Sequence, residues 1–216
     1  MEVAWIYLLM IVAGVSQTFA REDLQNMSFI FGKKGYVTVE SDQEGEPLEN
    51  VTLCLKHFSE LMARQALFSY ATKDQSKDIA IHMEAQEPYR WYNVYIGGAD
   101  VSFRTPYSYL GWQAVCINWA SETGVLTFWL NQKALSRKIV RKGYSIRAHT
   151  LVELGRAHKE NIFFSGEIQD VYMWNYTVEA RDMKSTEWKY IYPLPVVNWR
   201  NLEYEIQGNV ALEYIV

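Results

Sequence analysis

The sequence predicts an all-β fold: a two-sheet antiparallel sandwich carrying one short helix. Three observations lead there. Short runs rich in Val, Ile, Tyr, Phe and Trp recur along the chain, separated by turn residues. Apolar residues make up 49% and aromatic residues 15% of the 216, against 21% charged, which is the composition of a globular core. Only one segment contains more helix formers than β formers.

Taken in order, "YVTVE" (36–40) alternates apolar and polar residues, and "VTLCLKHF" (51–58), "ALFSYA" (66–71), "IAIHM" (79–83) and "YNVYIG" (92–97) read as strands. Gly97-Gly98 supplies a hairpin turn into "DVSFR" (100–104). "WQAVCINW" (112–119) turns at Glu122-Thr123-Gly124 and returns as "VLTFWLN" (125–131), followed by "KALSRKIV", "TLVELG" (150–155) and "GEIQDVYMW" (166–174). About a dozen strands at this spacing suit a two-sheet sandwich. The helix is expected in "VEARDMKSTEW", capped by Thr177, with Glu179 in its first turn. The tail from Val196 reads as strand, turn and strand. One domain is expected over 21–216.

The first twenty residues hold a single charge, Glu2, and an apolar run from Val3 to Val15. Thirteen apolar residues are short for a membrane span and suit the core of a signal peptide. Thr18 and Ala20 then place small residues at −3 and −1 of a cut after Ala20. Residues 1–20 are therefore expected to be a signal peptide, with the mature chain secreted, extracellular and without a membrane span. Removing Glu2 leaves 24 acidic against 21 basic residues, a net −3. That balance argues against nucleic acid as the main partner.

The chain has two cysteines, Cys54 and Cys116. Outside the cell an even pair reads as a disulfide, the other reading being two buried thiols. Three N-x-S/T sequons open at Asn26, Asn50 and Asn175. Asn50 follows a polar loop and opens a strand, so it is the favoured glycosylation position.

Catalytic patterns are thin, and the chain is read as a non-enzyme. A glycosidase pair on one strand face would be spaced two apart; the nearest approach, Glu167 and Asp170, falls on opposite faces of a regular strand. There is no GxSxG elbow, no Gly-rich phosphate loop, and the four histidines (57, 82, 149, 158) are scattered. Aromatic rings can stack on sugars, but Trp119, Trp129 and Trp174 lie inside strand patterns and are expected in the core.

Several stretches resemble the short pentraxin family in order along the chain: "FSYATK" (68–73), "GVLTFWLNQKALSRKIVRKGY" (124–144), "GEIQDVYMW" (166–174) and "VNWRNLEYEIQGNV" (197–210). Within the family signature His-x-Cys-x-Ser/Thr-Trp-x-Ser/Thr, Cys116, Trp119 and Ser121 fit, while Ala114 and Asn118 depart. The resemblance covers essentially the whole mature chain. It implies a flattened jelly-roll of the legume-lectin type, a Cys54–Cys116 disulfide, a helix on one face, a homopentamer and a role in innate recognition. Asn50 looks like a position that is glycosylated in the family. The opposite face normally holds two calcium ions that bind phosphocholine, phosphoethanolamine or other anionic ligands.

The calcium positions are where this chain departs. Where the family has an Asp-Asn pair, Ser76 and Lys77 stand here, and an ammonium offers calcium no lone pair. Asp78 follows as a residual carboxylate. After Leu154-Gly155 the family's acidic run is replaced by Arg156-Ala157-His158-Lys159, in a shortened loop whose oxygen-bearing side chains before Ser165 are Glu160 and Asn161. His82 occupies the family's apolar position beside the choline methyls, and Asp100 could still face a ligand ammonium. Calcium, implied by the family, is therefore expected to bind weakly or not at all. Two alternatives stand beside that reading. Lys77, Arg156, His158 and Lys159 could hold a phosphate or sulfate directly, or the chain could be a diverged, little-used family member.

Overall fold

The computed structural model describes residues 21–40, 46–108, 111–147, 151–185 and 187–215. The expected signal peptide and residues 41–45 lie outside the described residues. No described helix is long and apolar enough to cross a membrane.

The strands are β1 (Met27–Phe31), β2 (Tyr36–Val39), β3 (Asn50–Phe58), β4 (Gln65–Ala71), β5 (Ile79–Gln86), β6 (Tyr89–Ile96), β7 (Ala99–Pro106), β8 (Gln113–Ala120), β9 (Val125–Leu130), β10 (Lys133–Ala134), β11 (Lys138–Ile139), β12 (Leu151–Leu154), β13 (Gly166–Trp174), β14 (Val197–Asn198), β15 (Tyr204–Gln207) and β16 (Val210–Tyr214). They form two antiparallel sheets. One runs β10-β9-β8-β3-β13-β1-β16, with β11 and β14 added at its sides; the other runs β15-β2-β12-β4-β5-β6-β7. Neighbours distant in sequence, such as β3 beside β13 and β2 beside β12, are the crossings of a jelly-roll sandwich.

Alternation fixes which side chains meet between the sheets. From the first sheet Leu53, Leu55, Val115, Ile117 and Phe128 point inward; from the second Ile79, Ile81, Met83, Tyr92, Val94 and Val152 meet them, all buried. Trp119 and Trp174 are fully enclosed, and Trp129 nearly so, as their strand positions required. Cys54 and Cys116 face each other in direct register on β3 and β8 and form the disulfide.

Three local features differ from the sequence reading. The helix α1 is a single turn, Ala180–Met183, with Glu179 rather than Thr177 at its cap and no side-chain capping bond. Only Met183 of α1 is buried, so tertiary packing holds one turn and no more. "KALSRKIV" splits into the two-residue β10 and β11. β1, which precedes the first strand read from sequence, is paired on both sides, by β13 and β16. Residues 176–185 and Trp188 cover the outer face of the first sheet and bury Val178, Met183 and Trp188 against it. The outer face of the second sheet lies beneath two loops, 72–78 and 155–165.

Candidate ligand-binding face

The outer face of the second sheet is laid down by period-two alternation. Inward Ile79, Ile81 and Met83 leave Ala80 and His82 facing out on β5. Register then aligns Asn93 and Ser102 beside His82, and Tyr95 and Asp100 beside Ala80. On the other flank Ser69 of β4 pairs with Glu153 of β12. The two loops close over this surface.

Glycines fix where both loops leave the sheet. Gly155 has φ +77°, and a Cβ there would sit 2.5 Å from the ring of Phe31, so the 155–165 loop must depart through a glycine. The loop returns on itself through Ala157 N–H to Ile162 O (3.0 Å) and Phe164 N–H to Gly155 O (2.8 Å). Gly97, with φ +53°, sits against Tyr144 in the hairpin that receives the other loop. Its N–H donates to Asp78 O, and the Gly98 N–H to Lys77 O (2.8 and 2.9 Å).

The basic side chains of this face are largely committed to carboxylates of the same chain. Lys77 Nζ lies 2.5 Å from Glu160 Oε1, tying one loop to the other, and 4.8 Å from the centre of the Tyr95 ring. Arg156 Nη1 and His158 Nδ1 lie 3.3 and 3.1 Å from the two oxygens of Glu153, which is 2% exposed. The Arg156 guanidinium also stacks on Tyr36, 4.5 Å from the ring centre. Lys159 is exposed, with φ +61°, and stands apart from these pairs. Asn161 is exposed at the loop's tip.

The remaining predicted positions are spread around this centre. Ser76 is half-buried in the first loop. Asp78 is buried; it accepts a 2.7 Å hydrogen bond from the Tyr144 hydroxyl, and desolvation raises its pKa despite that bond. Its carboxylate is thus part of the loop's internal anchoring. Asp100 is exposed on the edge strand β7, across from Tyr95. His82 is fully buried, 5.0 Å from the Tyr95 ring centre, with Nδ1 3.4 Å from Arg64 Nη2. Burial, then the nearby Arg64 charge, lowers its pKa to about 4, which keeps the ring neutral at pH 7.

Glu153, Arg64 and Tyr95 were not read as site residues from the sequence. Glu153 sits in an apolar strand pattern, and its role needs the turn at Gly155 that brings residues 156 and 158 back over it. Of the sequons, Asn26 and Asn175 are exposed and Asn50 is half-buried at the start of β3.

Calcium takes six to eight hard oxygens. Among the described residues no three of His, Cys, Asp and Glu converge to hold a metal ion. The Lys77 ammonium, the Glu160 carboxylate paired with it and the Asp78 carboxylate anchored to Tyr144 do not fit that requirement.

A jelly-roll sandwich with paired loops over one sheet and a short helix over the other defines a lectin-like binding module. The chain belongs to the pentraxins: residues 28–213 match the model of the Pentaxin family. It is 31% identical to serum amyloid P-component of Cavia porcellus, over 97% of this chain and 95% of that protein. It is 30% identical to C-reactive protein of Mus musculus, over 96% of each. A heptameric serum-amyloid-P-like pentraxin from Limulus polyphemus superposes with a TM-score of 0.78, covering 89% of this chain and 96% of that one at 16% identity, which supports the fold.

Proposed function

We propose that this protein is a secreted, non-enzymatic recognition pentraxin whose calcium-dependent binding of phosphate-bearing ligands is weakened or lost. The observation that carries the reading is the Lys77–Glu160 pair at 2.5 Å. It puts a fixed positive charge between the two loops that a metal would need to bridge. The pair also occupies the carboxylate of Glu160, one of the candidate ligands left in the shortened loop. A calcium-bridged phosphate would then have no metal to reach.

Secretion draws support from the apolar leader and the disulfide, and from serum relatives across the full chain. A ring-shaped homo-oligomer is supported by the heptameric neighbour; the number five rests on the family resemblance. Direct anion binding by Lys77, Arg156, His158 and Lys159 draws less support, because three of these four side chains already face carboxylates. Calorimetry of the mature protein with calcium chloride tests the main reading. The expected trace shows no saturable micromolar binding. Two ions per subunit at micromolar affinity would overturn it. Retention on heparin in EDTA, lost in Lys159→Glu, would favour the direct anion site instead.

A further inference from the structure

We infer that a second site, on the other sheet, seats a neutral sugar ring. It is a cavity of about 280 Å³ between the outer face of the first sheet and the segment 187–201. Lys56, Gln169, Asp170 and Tyr172 form its floor, and Glu187, Trp188, Lys189 and Arg200 its wall. The volume is at the small end of small-molecule sites.

The floor is shaped by a defect in β13. Between Gln169 and Tyr172 the pairing with β3 slips by one residue, and Asp170 adopts φ +53°. Such bulges re-aim side chains, and a non-glycine residue in this region is strained. The outcome is an Asp170 carboxylate 2.6 Å from Lys56 Nζ at the cavity floor.

Two polar atoms of the lining lack partners. Gln169 Oε1 and Trp188 Nε1 are buried with no hydrogen bond, on side chains that are 6% and 3% exposed. Buried polar groups in native proteins are nearly always satisfied, so an acceptor and a donor left open in one cavity point to a missing partner. Hydroxyl groups both donate and accept, and so can answer both.

Charge selects the ligand class further. Lys56 is matched by Asp170, and Arg200 by Asp23 through contacts of 2.5 and 2.7 Å. Lys189 and Glu187 then offset one another. A lining balanced in this way favours neither an anion nor a cation, and suits an uncharged polyol.

One candidate source of the ring is the chain itself. Asn26, first residue of a sequon, is exposed and lines the same cavity. A glycan there would place its first sugar at the mouth. The other source is a sugar from outside, and the chemistry is shared.

The test uses full-length protein secreted from glycosylating cells, kept in EDTA so that calcium-face binding cannot contribute. Mass spectrometry of the Asn26 peptide decides the source. Asn26→Gln protein is then titrated with N-acetylglucosamine, glucose, galactose and mannose, following the indole N–H resonance assigned by Trp188→Phe. The expected result is millimolar binding of at least one sugar that shifts this resonance. Affinity should fall about threefold to tenfold in Gln169→Leu and in the wall variant Glu187→Gln, as for loss of one hydrogen bond. A hexosamine on Asn26 assigns the site to the chain's own glycan; an unmodified Asn26 with binding in the wild type assigns it to an external sugar. No shift at tens of millimolar of all four sugars would mean that the cavity holds water only. Binding undiminished in both variants would place the sugar elsewhere. Either of these two results overturns the proposal.

Discussion

Calcium should not stabilise this protein, and replacing Lys77 should expose why. A ligand present at a hundred times its Kd stabilises a fold by about 2.7 kcal/mol. For a domain of this size about 1 kcal/mol moves the Tm by roughly 2–4 °C. A functional calcium site of 20 μM affinity would therefore raise the Tm by about 5–11 °C at 2 mM calcium, relative to EDTA. The wild type is expected to move by less than about 1 °C. Lys77→Met keeps the aliphatic stem and removes the charge. It loses a partly buried ion pair worth about 1 kcal/mol and a ring contact worth about 0.5 kcal/mol. Together these lower the Tm by about 3–6 °C. Lys77→Asp goes further, setting a carboxylate against Glu160 where the ammonium stood. This variant should melt below Lys77→Met in EDTA and regain part of the loss in calcium. Differential scanning calorimetry of the three proteins in EDTA and in calcium makes the comparison. A wild type that gains several degrees in calcium, or a Lys77→Met protein as stable as the wild type, would refute the reasoning.

The other predictions concern the frame around this face. His82 has a folded pKa near 4 against the ordinary 6.5, so between those values the unfolded chain binds more protons. Its contribution is intact above pH 6.5 and falls by about 3 kcal/mol as the pH drops through 4. Urea unfolding at pH 7 and pH 4.5 should show a shallower acid loss in His82→Phe. Gly155→Ala forces a Cβ to within 2.5 Å of Phe31 at φ +77°, and is expected to cost at least about 1–2 kcal/mol, read as a lower urea midpoint. Replacing Cys54 and Cys116 together by Ala should cost about 4 kcal/mol, with the wild type under reducing conditions falling to a similar midpoint.

How much of this was legible in the sequence depends on the distance over which each feature is decided. The strand with a clear two-residue period, at 36–40, was readable because alternation is local, and 51–58 and 166–174 were readable by their content of β formers. The helix was overextended because propensity over 178–188 favours it, whereas only Met183 of the single turn finds a buried seat. Lys77 and the 156–159 cations stood out by residue type, but their partners did not. Glu153 belongs to a strand that reads as core, and it meets Arg156 and His158 only because Gly155 reverses the chain. Glu160 meets Lys77 across two loops more than eighty residues apart. The cavity on the first sheet was hidden for the same reason. Its floor depends on a one-residue slip at Asp170, which the spacing of Glu167 and Asp170, read as a regular strand, does not show.

The Lys77–Glu160 pair also illustrates what an ammonium can and cannot do where the family resemblance implies a metal. Holding two loops together needs only one positive charge and one well-placed acceptor. Lys77 provides this without help from solution, so the face can stay ordered whatever the calcium concentration. Recruiting an external phosphate needs more: a cation with coordination positions left open after the protein has supplied its ligands. Calcium keeps such positions because it takes six to eight oxygens. An ammonium has three donors, and here it is spent on Glu160 and on the face of Tyr95. On the proposed reading, Lys77 separates two roles that a metal combines, keeping the fastening of the loops and giving up the bridge to a ligand. That separation predicts a protein whose architecture does not respond to calcium removal, and whose recognition rests on other surfaces of the sandwich.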